Sequence, residues 1–493
     1  MSPAVPKSAS GEVSDRFPSR PPFALRGRIV SPLGNGGSLD IADGVVEVDT
    51  RGRITGVRAW EDVAAVDARQ RITPDGAGEV VAAVDARQRI TPDASARIVD
   101  IRPGIILPGL VDLHAHLPQI GNAGRGFGLD LLTWLERDIF PLERGFDRAA
   151  AEVVAPAAFA AFAAAGTTTA LLYGAVFADS IDASFGAAAA HGIRAVIGKV
   201  MMDRLRYDDR LPDAEVLDTS LRESAELCAR WHGAEDGRLR YAFTPRFAVS
   251  CSPDMLRESA ALAGSTGAYW QTHLSEDRGE LAEVARLFPD AIDYLDVYDR
   301  AGGLGERTIL AHAIHLSDRE VHRLTETRTR VAHCPASNLF LASGVMPLAR
   351  YLEAGVVVGL GSDVAAGPDL SIFGAMRVGA YTQNALRVAG DARPILGPLE
   401  WLRLATLEGA RALSLDDVVG SIEPGKEADL IVVDPRWTDP FGGDPSGASE
   451  PRRAEADPGS LISRLMFRAH PSMVRGAWVR GRLLPGPPGT LEP

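Results

Sequence analysis

Two histidines one residue apart, His114 and His116, close the apolar run Leu107-Pro108-Gly109-Leu110-Val111-Asp112-Leu113. Side chains on a β-strand alternate between its faces, so both imidazoles project the same way from the strand's last residues. Two imidazoles converging there can hold a divalent transition metal. Taken alone, the pair is explained as well by hydrogen-bonded core histidines. Three later apolar runs shift the balance, because each also ends in a possible ligand. Residues 268–272 lead into His273, 308–311 into His312 and 356–362 into Asp363. Ligands at the ends of strands so far apart in the chain meet at one place in a (β/α) barrel, its C-terminal mouth.

The elements that would carry these residues are legible on either side. From about 108 to 404, β-type runs such as 167–173, 194–200, 240–245 and 330–333 alternate with helical stretches, the pattern of a parallel α/β architecture. Short strands punctuated by glycine precede this region (24–30 and 44–48) and follow it (428–433 and 473–479). The fold class expected is α/β: a (β/α)8 TIM-like barrel with a small β-sandwich domain built from both chain ends. The boundaries expected are a disordered tail over 1–22, the N-terminal portion of the sandwich over 23–107, the barrel over 108–413 and the C-terminal portion of the sandwich over 414–487. A near-verbatim duplication, 63–75 repeated at 81–93, falls inside the N-terminal portion. Two copies are too few for a solenoid, and an enlarged loop is the simpler explanation.

Composition narrows the partners. At 493 residues the chain can hold a barrel and a second domain, and its formal net charge of −13 argues against a nucleic-acid backbone as ligand. Cys228, Cys251 and Cys334 are odd in number and widely spaced, which fits a reducing cytoplasm rather than a disulfide framework. No export or membrane segment is expected. The alanine-rich run 149–165 carries Glu152 and Pro156, is too short to span a bilayer, and reads as a buried barrel helix.

The whole set of motifs resembles the metal-dependent amidohydrolase superfamily and, within it, the guanine deaminases. The resemblance covers nearly all of the chain after the tail. It rests on Pro108 to His116 with Leu117-Pro118-Gln119, on Leu131-Leu132-Thr133-Trp134-Leu135-Glu136, and on Phe140-Pro141-Leu142-Glu143. It continues through Gly198 to Asp203, Thr244-Pro245-Arg246-Phe247, Thr272-His273-Leu274-Ser275-Glu276, His333 to Leu339 and Gly359 to Ala365. The His-x-His pair and the terminal Asp belong to the superfamily at large. Gln119, the 134–143 block and Pro-Arg-Phe at 245–247 narrow it. Ala366 stands where glycine is expected.

This resemblance implies roles residue by residue. His114, His116, His273 and Asp363 would hold one Zn²⁺ per subunit and leave a position for water, whose pKa such an ion lowers toward about 7. Glu276 would shuttle protons, Asp363 would take one from the water, and His312 would hydrogen-bond water and substrate rather than act as a ligand. An arginine after a strand is most often a surface ion-pair partner, but here Arg246, with Gln119, would bind the polar edge of a purine. Phe247 and Trp134 would pack on its faces, although single aromatics are core residues more often than not. His333 is expected to support the site from behind and Cys334 to be inert. The activity implied is zinc-dependent hydrolysis of guanine to xanthine and ammonia, by a cytoplasmic homodimer acting on a small-molecule purine. A deaminase of another amino-heterocycle (an oxidised guanine, a pterin or a triazine) and a catalytically silent scaffold are the rival readings.

Overall fold

The computed structural model describes residues 17–64, 98–439 and 457–487. Apart from residues 63 and 64, the duplicated segments lie outside them.

Eight parallel strands form the barrel wall in spatial order β5 (Leu110–His116), β6 (Thr167–Tyr173), β7 (Arg194–Gly198), β9 (Leu239–Pro245), β10 (Tyr269–Leu274), β11 (Thr308–His312), β12 (Arg330–His333) and β13 (Val358–Leu360). The two-residue β8 (Val200–Met201) pairs with the end of β9. The wall closes between its first and last strands through residues near the mouth: Asp363 N donates to His114 O (2.7 Å) and His116 N to Val364 O (3.1 Å). Alternation sorts the side chains of each strand. Leu171, Val196, Ala242, Tyr269, Ile309 and Ala332 fill the inside, while Ala170, Leu172, Ile197 and Leu310 face the helices. The alanine-rich run is the helix Arg148–Ala164, which buries Ala151, Ala155, Phe159 and Phe162 against this outer layer.

Both chain ends contribute to a second sheet of seven strands, ordered β16 (Arg482–Leu483), β15 (Val474–Val479), β14 (Leu430–Val433), β4 (Ile98–Pro108), β1 (Phe23–Pro32), β2 (Ser38–Val48) and β3 (Ile54–Ala59). Ile106, Leu430, Val432 and Trp478 face a core of its own, and their alternates Ile105, Leu107, Ile431, Val433 and Ala477 join the barrel's. Ahead of β1, Trp478 Nε1 donates to Pro18 O (2.9 Å), Leu483 N donates to Ser19 O (3.1 Å), and Phe17 packs edge-on to Trp478, so residues 17–19 pack against this sheet.

One apolar run serves both sheets. β4 ends at Pro108, β5 begins at Leu110, and Gly109 between them donates its N–H to Asp429 O (2.9 Å). A Cβ at Gly109 would lie 2.0 Å from Thr168 Oγ1, so no other residue fits this handover.

Candidate metal and substrate site

The His-x-His strand carries a bulge. Asp112 pairs with Ala170 but Ala115 pairs with Leu172, so β5 has one residue more than β6 across this step. The extra residue resets the alternation. Val111 and Leu113 pack inside the barrel below it, and His114 and His116 face inward above it, with Tyr173 against both rings (4.9 and 4.6 Å between centroids). Asp112, wholly buried at the bulge, braces it. Its Oδ1 accepts from His114 N (3.1 Å) and Ser362 N (3.0 Å), and its Oδ2 accepts from Ser362 Oγ (2.6 Å). Burial pushes its carboxyl up to about 7, against the pull of those hydrogen bonds.

The remaining strand ends turn sharply at the mouth. Ser275, His312 and Asp363 adopt left-handed backbone (φ 48°, 70° and 48°), each at a steric cost of about 1–2 kcal/mol for an L-residue. Strain of this kind collects where a side chain must be aimed, and here His312 and Asp363 are aimed at His114 and His116.

Four donor atoms meet. His114 Nε2 lies 3.3 Å from His116 Nε2, which lies 3.4 Å from His273 Nε2. Asp363 Oδ1 lies 3.2 Å from His114 Nε2 and 3.4 Å from His116 Nε2. Ligands about 2.0–2.1 Å from a zinc-like ion lie about 3.3–3.4 Å apart at a tetrahedral angle, and these four separations match that spacing; His114 joins a group with His116 and His273 to one with His312 and Asp363. Their chemistry fits as well. Burial lowers the pKa of His114, holds His116 at about 4 and, with the neighbouring imidazoles, takes His273 well below the usual range. All three rings are therefore in the form that ligates. Burial alone would raise Asp363, yet the histidines around it hold it well below a free carboxylate. His273 Nδ1 donates to Arg246 O (2.6 Å), which fixes its Nε2 as the lone pair facing inward.

Beside this cluster, His312 Nδ1 donates to Asn338 Oδ1 (2.9 Å), and its Nε2 faces Glu276 Oε2 (3.4 Å) and Asp363 Oδ2 (3.8 Å). Burial, and then the charge of Asp363, raises the Glu276 carboxyl well above its ordinary value, so it retains a proton that it can give away. A cavity opens on these groups and is lined also by Gln119, Trp134, Arg246, Phe247, Leu341 and Ala366. Every residue that the sequence singled out as ligand, proton carrier or substrate reader lines this cavity or, for His114, stands in the donor cluster behind it. His191, His232, His315, His322 and His470 do not line it. Cys334 is buried, and burial raises its thiol well above the usual range, as expected of an inert residue.

Three participants have roles that the sequence does not announce. Asp112 and Asn338 hold the ligand strand and His312, and Glu143 grips both substrate readers: its Oε1 accepts from Gln119 Nε2 (2.7 Å), and its Oε2 accepts from Arg246 Nη1. A π-helical turn over Leu135–Ile139 separates the short helices that carry Trp134 and Glu143. The one signal that could have found Asp112 is a carboxylate inside an apolar strand, two residues before the first histidine.

A parallel eight-stranded barrel, a sheet drawn from both chain ends and a His₃Asp donor set at the barrel mouth define a metal-dependent hydrolase. The chain belongs to the amidohydrolase family, whose model matches residues 105–484. It is similar to guanine deaminase of Escherichia coli, with 41% identity over 344 residues, 69% of this chain and 76% of the relative. The solved structure of the E. coli enzyme matches at a TM-score of 0.79 and 32% identity, over 94% of this chain and 99% of that one. Guanine deaminase of C. acetobutylicum, solved with guanine bound in the active site, matches at a TM-score of 0.77 and 26% identity, with coverage of 94% and 99%. An adenosine deaminase of Xanthomonas campestris, solved with bound zinc, matches at 0.72 and 28%, covering 94% and 93%.

Proposed function

We propose that this chain catalyses the hydrolytic deamination of guanine to xanthine and ammonia. The observation that carries the reading is the opening of one cavity onto both the His₃Asp donor set and the Arg246–Gln119 pair. Similarity to guanine deaminases supports the choice of base. His114, His116, His273 and Asp363 would hold one Zn²⁺ per subunit. When bound, that ion supplies the Lewis acidity that brings the pKa of a water toward about 7.

The chain's own groups then do the rest. Arg246 donates to the guanine carbonyl oxygen, Gln119 pairs beside it, and Phe247 and Trp134 cover the ring faces. Asp363, whose Oδ2 is turned toward His312, takes a proton from the water as it attacks C2. Glu276 gives its carboxyl proton to the adjacent ring nitrogen, and proton return through it to the amino group lets the C2–N bond break and ammonia leave. His312 Nε2 hydrogen-bonds in the same space and steadies the charge that develops. A cytoplasmic homodimer with domain boundaries near residues 108 and 413 completes the proposal. It rests on the family resemblance and on Cys228, Cys251 and Cys334 being free and buried. Among the described residues, no helix is long and apolar enough to cross a membrane.

The test is ammonia release from guanine, adenine, 8-oxoguanine, pterin and triazine substrates, with product identification and metal analysis on the same preparation. Guanine should be converted to xanthine and adenine rejected, since adenine offers an amino donor where guanine offers oxygen. In Arg246→Ala, guanine turnover should collapse while zinc stays. A preference for another ring moves the chain to a sister deaminase, and a preparation with no stoichiometric zinc and no turnover moves it to a scaffold.

A further inference from the structure

Glu143 has no contact with the donor cluster, yet it is fully buried between the two groups assigned to the substrate. It stands in the short helix Phe140–Arg144, and each of its carboxylate oxygens is taken. Gln119 Nε2 donates to Oε1 at 2.7 Å and Arg246 Nη1 donates to Oε2. A carboxylate engaged in this way can only accept. It therefore dictates which end of the Gln119 amide faces it: the NH₂ turns to Glu143 and the carbonyl oxygen turns away. Gln119 makes no other side-chain hydrogen bond among the described residues, and both it and Arg246 line the cavity. The Arg246 guanidinium is held in place from a second side by the Phe140 ring, 5.3 Å from its centre. Its backbone oxygen receives His273 Nδ1, so the same residue is tied to the donor cluster.

We infer that Glu143 is a positioning residue that sets the hydrogen-bond polarity of the pocket: an acceptor from Gln119 beside donors from Arg246. That pattern complements a lactam edge, in which a ring N–H neighbours a carbonyl oxygen, as N1–H and O6 do in guanine. It opposes an amidine edge, in which a bare ring nitrogen neighbours an amino group, as in adenine or 2,6-diaminopurine. A glutamine at 143 would lift the constraint, because its amide presents either a donor or an acceptor and lets Gln119 rotate. The inference rests on the proposed guanine reading and deepens it, by assigning specificity to a residue that does not touch the substrate.

The experiment compares zinc-loaded full-length wild type with Glu143→Gln, measuring kcat and KM for guanine and the inhibition constant of 2,6-diaminopurine. In the variant, the ratio of that inhibition constant to the guanine KM should fall by at least about 10-fold, because Gln119 can then donate to the bare ring nitrogen and only Arg246 still faces a mismatched group. The change should lie mainly in KM, with zinc content retained. An unchanged ratio overturns the inference. If Glu143→Gln does not fold, Gln119→Met keeps the Glu143–Arg246 pair and reads the same polarity. Guanine KM should rise while inhibition by 2-aminopurine, whose N1 carries no hydrogen, stays as it was. An equal loss for both ligands would mean that Gln119 presents its N–H, and the inference falls. A wild type that binds guanine over 2,6-diaminopurine without deaminating it refutes the reaction alone. A wild type that deaminates guanine while the variants keep its discrimination refutes the polarity alone.

Discussion

Each end of the barrel buries a cluster of charged and titratable side chains, and the two clusters differ in makeup. At the base, Arg194 opens β7 and donates to Asp429 (3.0 and 3.2 Å) and Glu427 (2.6 Å), both just ahead of β14 in the second sheet. Arg480 donates to Glu427 (2.7 Å), and its backbone N–H donates to Asp429 (2.9 Å). Two guanidiniums face two carboxylates. Burial opposes the charge on Arg194, but its two acidic partners raise its pKa above the ordinary value. At the mouth, by contrast, imidazole nitrogens point at one another and at a carboxylate across 3.2–3.4 Å, with no cation of the chain among them. Among the described residues, His116 Nδ1 and His312 Nε2 make no hydrogen bond, although His312 Nε2 faces Glu276 Oε2 at 3.4 Å. The base cluster closes on itself and holds two sheets together, whereas the mouth cluster turns ligand-type nitrogens and a carboxylate toward one another.

The largest effect expected from that contrast is at the mouth. His114→Ala and His273→Ala should each abolish metal retention and turnover together, while the fold survives by circular dichroism. Chelation of the wild type should do the same, with recovery on adding zinc back. A variant that keeps full zinc would remove its histidine from the donor set.

At the base, the same kind of truncation should act on stability alone. Arg194→Ala strands two buried carboxylates, a loss on the order of 3–5 kcal/mol for a broken buried pair. Denaturant unfolding should register that loss, and the folded fraction should retain both zinc and kcat. Loss of activity out of proportion to unfolding would show that the two ends are coupled, and the contrast between them would fail.

Glu276→Gln probes the mouth more gently, since it keeps the shape and removes only the titrating group. Zinc and substrate affinity should persist while kcat falls by at least about 10²-fold, roughly 2.7 kcal/mol. Near-normal turnover would return Glu276 to an ordinary buried carboxyl.

The sequence displays the mouth far better than the base, for a physical reason. Ligands at strand ends are announced locally, each by the apolar run that precedes it, so His114, His116, His273, His312 and Asp363 can be found one strand at a time. The base cluster joins Arg194 to Glu427 and Asp429 across more than 230 residues, and no local pattern marks an arginine at a strand start as buried. The bulge in β5 and the left-handed turns at His312 and Asp363 are hidden too, because a register shift belongs to a pair of strands rather than to one. Glu143 is visible as a member of a motif, but its grip on Gln119 and Arg246 depends on side-chain orientations that spacing does not encode.

Asp112 tests the smallest of these effects, and its two variants pull apart charge from geometry. Its Oδ1 accepts from two backbone N–H groups and its Oδ2 from the Ser362 hydroxyl. Asparagine can reproduce all three contacts: the amide oxygen takes both N–H groups, and the NH₂ donates to Ser362 Oγ, which is free to accept. Asp112→Asn should therefore leave zinc affinity and turnover close to wild type. Asp112→Ala leaves two buried N–H groups unpaired where β5 meets the Asp363 segment, a penalty of about 1–3 kcal/mol for each group stranded. Because that seam positions two ligands, zinc affinity should drop by roughly 10–100-fold, the range typical when a group supporting metal ligands is lost. Zinc titration of the two apo-proteins decides it. If Asp112→Asn loses zinc as badly as Asp112→Ala, the carboxylate acts by its charge, and the mouth depends on the charge of Asp112 as well as on the seam.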